Sequence, residues 1–157
     1  MFHDPEASAM DAFTFSWKDL HPYIFTPFTI IPRILSKIKT DTVDKAIIIV
    51  PLWPSLLWFP LLISLIVSFP VRLPRHKYLT SMPSTGLVLL HPLTRKTDLA
   101  AVQLSGNLLL IKEFRLKNQH SSSHHGEKKL QNNICCAGGN GCFGVVEGLK
   151  IPLLHLR

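Results

Sequence analysis

An α/β fold is predicted by three features of this 157-residue chain. Residues 30–39 carry a helical apolar period, residues 45–50 form a β-branched run, and a proline break then leads to a second apolar stretch and a further short strand. Helix, strand, helix, strand is the order from which sheets with crossover helices are built. Composition sets the scale: 46% hydrophobic and 17% charged residues suit one domain with a real core. They exclude collagen, a coiled coil and an acidic disordered chain.

Residues 1–20 mix acids with Phe2, Phe13, Phe15 and Trp17 and show no helical period, so they read as an irregular lead-in with one short strand at most. From Thr29 the pattern changes. Ile30, Ile31, Ile34, Leu35 and Ile38 recur at spacings of three and four, while Arg33, Lys37 and Lys39 take the opposite face. This predicts an amphipathic helix over 30–39, with Thr29 as its N-cap and Pro32 in its first turn, where a missing N–H costs nothing. Asp41 to Asp44 is a polar loop of ordinary length. Lys45 to Val50 then predicts a strand buried on both faces of a parallel sheet, ended by Pro51.

Pro51-Leu52-Trp53-Pro54-Ser55 breaks the chain. Trp58 to Val67 reads as a helix with Pro60 near its start, and Phe69 to Leu73 as a short strand closed by Pro74. Beyond Pro83 the pattern thins: Leu87 to Leu90 is a short apolar run, and Leu99 to Leu104 reads as a turn or two of helix ended at Ser105-Gly106. After Leu116 the chain turns polar, and its Ser/His/Gly-rich composition predicts a linker or disordered tail with a short hairpin within Phe143–Val146. The organisation expected is therefore an α/β segment over 1–82, a peripheral, short helical region over 83–116 and a basic, largely irregular tail over 117–157.

Ala46 to Val71 is a run of 26 residues without Asp, Glu, Lys or Arg, so it lies in protein or in lipid. As one membrane helix, residues 46–69 would be long enough. Pro51, Pro54 and Pro60 oppose that reading, since each removes an intrahelical hydrogen bond and costs about 3 kcal/mol. Lysines 37, 39 and 45 on one side and Arg72, Arg75 and Lys77 on the other give no positive-inside asymmetry. A small membrane protein remains the alternative to a buried strand, break and helix.

Charge is unevenly placed. Residues 1–45 hold five basic and six acidic side chains, whereas residues 72–157 hold twelve basic and four acidic. The basic half suits a polyanionic partner, nucleic acid or an anionic membrane surface, and a nucleic-acid-binding basic module is the weaker alternative function. Three cysteines, Cys135, Cys136 and Cys142, are an odd number in a late cluster, and no secretory leader opens the chain, so a secreted disulfide scaffold is not expected. With His120, His124 and His125 these cysteines are zinc-ligand types, but adjacent or six-apart cysteines lack the paired spacing of a structural site. Gly138, Gly139 and Gly141 lack the following Lys-Ser/Thr of a phosphate loop. No metal, cofactor or nucleophile constellation is expected.

A resemblance is carried by four blocks: His3–Trp17 (HDPEASAMDAFTFSW), Tyr23–Ile38 (YIFTPFTIIPRILSKI), Ile47–Ile66 (IIIVPLWPSLLWFPLLISLI) and the separated HPL and LSG of residues 91–93 and 104–106. Together they resemble the region downstream of the reverse transcriptase and ribonuclease H domains in polyproteins of DIRS-like retrotransposons, which integrate through a tyrosine recombinase. In such elements this region is similar to a Dam-type adenine methyltransferase domain. The resemblance implies an incomplete Rossmann-like, methyltransferase-like segment, with nuclear or cytoplasmic residence, membrane being the alternative. Methyltransferases of this class carry an Asp/Asn-Pro-Pro-aromatic tetrapeptide at a strand end, then a helix, a strand and a Trp-Phe-led helix. Phe25-Thr26-Pro27-Phe28, Ile30–Lys39, Ile47–Val50 and Trp58-Phe59 fall in that order.

The resemblance also implies lost chemistry. In the family the Asp/Asn oxygen accepts a hydrogen bond from the adenine amino group and raises electron density on the attacking nitrogen, while the aromatic stacks on the flipped base. Phe25 takes the Asp/Asn position and accepts no such bond, and Thr26 replaces the first proline. Pro27 and the stacking residue Phe28 are kept, Phe28 also being readable as a core aromatic that staples the helix start. The methyl-donor half of the sheet is expected to precede this chain, so no S-adenosylmethionine binding and no catalytic activity are expected.

Overall fold

A computed structural model describes residues 11–74, 97–119 and 142–155. Within them the chain forms a mixed α/β structure: a five-stranded sheet, a two-stranded hairpin and three α-helices.

The first strand, β1 (Tyr23–Ile24), is followed by a 3₁₀ turn (Phe28–Ile30) and helix α1 (Ile31–Thr40). The helical period predicted from residue 30 is therefore present, and its apolar stripe, Ile31, Ile34, Leu35 and Ile38, is buried. Burying each such side chain contributes roughly 1.5–3 kcal/mol. Thr29 is not the N-cap. It lies inside the 3₁₀ turn that Ile30 N–H closes on the Pro27 carbonyl at 3.2 Å, so no side chain caps α1 and Pro32 supplies the favourable first turn.

The C-terminus of α1 is a Schellman turn. Val43 N–H reaches the Ile38 carbonyl at 3.2 Å and Thr42 N–H the Lys39 carbonyl at 3.3 Å, with buried Val43 providing the apolar contact. The turn places Thr42 at φ 50°, a left-handed conformation that disfavours a β-branched residue. Thr42→Gly is expected to stabilise the fold by about 1 kcal/mol after the greater freedom of glycine in the unfolded chain is deducted. Chemical denaturation would register this as a higher midpoint at unchanged slope.

Strand β2 (Ala46–Pro51) pairs in parallel with β1, Ile48 opposite Ile24, and antiparallel with β4 (Leu99–Leu104), Ile48 opposite Val102. The predicted strand is present, but its sheet is mixed and it is not buried throughout. Tyr23, Ile47 and Gln103 lie side by side on a face that stays open to solvent. The turn of helix expected at Leu99–Leu104 is instead β4, in the middle of the sheet. Ala100, Val102 and Leu104 are buried while Leu99, Ala101 and Gln103 are half-exposed, and this period of two fits a strand.

Helix α2 (Phe59–Ser64) is shorter than the stretch predicted from Trp58 to Val67. The chain leaves it early to reach β4: Ile66 bridges Leu104, and Val67 N–H bonds to the Gln103 carbonyl at 3.2 Å. Strand β3 (Val71–Arg72) then pairs antiparallel with the far side of β4, the Arg72 guanidinium meeting the Asp98 carboxylate. No helix among the described residues is long and apolar enough to cross a membrane.

Helix α3 (Leu108–Gln119) begins at Asn107, whose side-chain oxygen accepts Leu109 N–H at 3.0 Å. Residues 142–155 are not irregular. Strands β5 (Cys142–Val146) and β6 (Leu149–Pro152) form a hairpin across Glu147-Gly148, both at positive φ (48° and 81°), the two-residue turn whose twist matches its strands. The short hairpin predicted within Phe143–Val146 is not what forms there: those residues are one strand, and the turn and second strand follow at residues 147–152. Strand β7 (Leu154–His155) pairs in parallel with β3, completing the order β1-β2-β4-β3-β7. One hydrophobic cluster draws on Ile38, Val102, Ile111, Phe143 and Ile151, and so on all three stretches of the chain.

A candidate site at the carboxyl ends of the parallel strands

Because β1 and β2 run in parallel and are joined through α1, their carboxyl ends lie together. In open α/β sheets ligands sit outside such ends. Phe25-Thr26-Pro27-Phe28 leaves β1 there, and Leu52-Trp53-Pro54 leaves β2.

The phenyl ring of Phe28 meets the indole of Trp53 edge to face, with ring centres 5.3 Å apart, and packs against the core cluster. That geometry suits the aromatic quadrupoles and fixes the path of both loops. Pro27 is extended, at φ −52° and ψ 134°, and the 3₁₀ turn follows it directly. Phe25, by contrast, is 56% exposed, and Leu57 in the neighbouring loop is fully exposed. Residues 46–71 add no charge to this end of the sheet. The arrangement offers aromatic and aliphatic surface, and Thr26 carries the tetrapeptide's one hydrogen-bonding side chain. It provides no carboxylate or amide acceptor at the position of Phe25.

Trp53 is the residue that the sequence reading missed. Its signal was its place in Pro51-Leu52-Trp53-Pro54, immediately beyond a strand, which reads first as a chain break.

The lead-in segment steadies the outer face of α1. Trp17 is buried, and its indole N–H donates to the Ala12 carbonyl at 2.6 Å. The Arg33 guanidinium lies 3.9 Å from the centre of the Phe13 ring, and the Lys37 ammonium 5.4 Å from that of Trp17. Asp41 Oδ2 accepts Trp17 N–H at 2.8 Å and pairs with Lys37 Nζ at 2.9 Å. The Trp17 backbone bond first, and the Lys37 contact second, hold the Asp41 carboxyl below the usual carboxylate range.

A carboxylate with a lowered folded pKa stabilises above its unfolded value, about 3.9, and that contribution disappears as pH falls through the folded value. Asp41→Ala is accordingly expected to cost about 1–2 kcal/mol at neutral pH, a range suited to a charged hydrogen bond near the surface. Its deficit against the unchanged protein should shrink below about pH 4, as pH-dependent melting would show.

The zinc-type residues His120, His124, His125, Cys135 and Cys136, and the glycines Gly138, Gly139 and Gly141, lie outside the described residues. Cys142 is buried at the start of β5, its Sγ 3.6 Å from the Gly144 carbonyl. Among the described residues no group of three or more His, Cys, Asp or Glu side chains could hold a metal ion.

Comparisons with known protein families, curated proteins and solved structures return no match.

Proposed function

We propose that this chain is a fragment of a DIRS-like retrotransposon polyprotein, a methyltransferase-like segment without catalytic activity of its own. The observation that carries the reading is the position of Phe25-Thr26-Pro27-Phe28, at the carboxyl end of β1 in a parallel β1-α1-β2 unit. A base-binding tetrapeptide would stand at that place in a Rossmann-like sheet. A further feature supports it. Trp58-Phe59 opens α2 just beyond β2, as the resemblance implies. Strands β1, β2, β3 and β7 run one way, and β4, reversed, stands in the middle of the sheet, where a doubly wound sheet would place a parallel strand.

The chemistry follows from the replaced acceptor. Activating an adenine amino group requires an oxygen within hydrogen-bond reach, and a phenyl ring at that position supplies none. Stacking by Phe28 would orient a base without raising the nucleophilicity of its amino nitrogen. The basic half, twelve cationic against four acidic side chains over residues 72–157, is the part of the chain we assign to nucleic acid by its charge, in nucleus or cytoplasm.

Two experiments test the parts separately. Translation of the genomic DNA upstream of the Met1 codon is expected to reveal a reverse transcriptase or ribonuclease H remnant, and its absence from every frame removes the family assignment. Calorimetric titration with S-adenosylmethionine is expected to give no saturable heat, and a saturable isotherm overturns the inactive reading.

A further inference from the structure

We propose that the outward stripe of α3 pairs with the same stripe of a second copy of this chain, antiparallel about a two-fold axis. One side of α3 is occupied. Ile111 is buried, Phe114 meets Phe69 edge to face with ring centres 5.5 Å apart, and Arg115 binds the Ser64 carbonyl and the Glu147 carboxylate. The opposite side carries Leu109, Lys112, Glu113 and Leu116, spaced at three, four and seven residues and all exposed, with Glu113 also loosely paired to Lys117 of its own helix at 3.6 Å, a contact open to exchange at the surface. Leu109 and Leu116 are 75% and 62% exposed, an unusual outlay of leucine on the polar side of a helix.

The order leucine, lysine, glutamate, leucine selects the partner. A two-fold axis between positions 112 and 113 brings Leu109 onto Leu116 of the second copy and Lys112 onto its Glu113, and symmetry repeats both contacts. In a parallel pairing Lys112 would face Lys112 and Glu113 would face Glu113, which like-charge repulsion disfavours. The stripe is self-complementary in the antiparallel sense alone. Four residues of one helix make a patch smaller than stable complexes bury, so association is weak and concentration-dependent.

Sedimentation velocity of the full chain over a wide concentration range tests this. The weight-average mass is expected to rise toward that of a dimer. Lys112→Glu and Glu113→Lys, each creating two like-charge contacts, should weaken association at least about fivefold. The double variant K112E/E113K restores opposite charges and should recover association. Leu109→Ser should abolish it while leaving the melting curve of the monomer unchanged. A monomer mass at every concentration, a double variant as weak as the single ones, or larger aggregates indifferent to all these substitutions would each overturn the proposal.

Discussion

Gly106→Ala is expected to destabilise the fold by about 3 kcal/mol, at the upper end of the range for a group forced into a packed interior. A Cβ at this position would lie 2.1 Å from the Ile38 carbonyl oxygen and 3.0 Å from the Thr42 Cα. Both obstacles are backbone at the end of α1, so no rotamer change relieves the contact. The surrounding bonds would suffer too. Gly106 N–H donates to the Val43 carbonyl at 2.8 Å, and the fully buried Ser105 hydroxyl donates to the same oxygen at 3.1 Å while accepting Asn107 N–H at 2.9 Å. Asn107 in turn reaches the Asp44 carboxylate at 2.9 Å. Three residues, Ser105 to Asn107, thus tie the exit of β4 to the loop after α1. In a chain of this size the loss corresponds to a fall in melting temperature on the order of 10 °C. A scan showing no change would mean that the two segments do not meet.

Phe143→Ala is expected to cost about 3–5 kcal/mol, the range for a fully buried phenylalanine. Its ring centre lies 5.2 Å from that of Phe59, and Gly144 beside it admits the side chain of Ile63 so closely that a Cβ there would meet the Ile63 Cδ1 at 2.4 Å. The hairpin is also fastened from outside, since Arg115 donates to the Ser64 carbonyl at 2.9 Å and pairs with Glu147 at 2.6 Å. A tail that served only as a tether would tolerate Phe143→Ala without change. Equilibrium denaturation of the full chain separates the two cases, and a ΔΔG near zero would return residues 142–155 to the status of a linker.

These two sites also show where the amino-acid pattern was informative. Helix α1 was legible because Ile31, Ile34, Leu35 and Ile38 keep a strict period against three cations, and local spacing decides that outcome. Strand β2 was legible from its β-branched run, yet its neighbours were not, because nothing in Ala46–Pro51 records that β4 approaches in the opposite direction. Strand β4 itself was hidden by composition. Leu-Ala-Ala-Val-Gln-Leu is rich in helix formers, and its alternation becomes visible only when Ala100, Val102 and Leu104 meet the sheet, a tertiary override of propensity. A short hairpin was expected near Phe143, but the polar, glycine-rich surroundings suggested a tail and hid its second strand and its core role, although Phe143, Leu149 and Ile151 are core residues. At the candidate site the tetrapeptide was readable from residue types, whereas the Trp53 contact needed two strand ends to come together.

The insertion of β4 between β2 and β3 has a consequence for synthesis of the chain. A ribosome delivers β1, α1, β2, α2 and β3 first, and the strand that joins β2 to β3 arrives only with residues 99–104. Until then β2 and β3 each present an unsatisfied edge within a stretch that carries no charged gatekeeper from Ala46 to Val71. Any nascent chain that stalls, or any transcript that ends, before Leu104 releases an adhesive intermediate in place of a smaller domain. Chaperone dependence should therefore fall in two steps, first when the reversed strand clears the exit tunnel and again when residues 142–155 add the hairpin and β7.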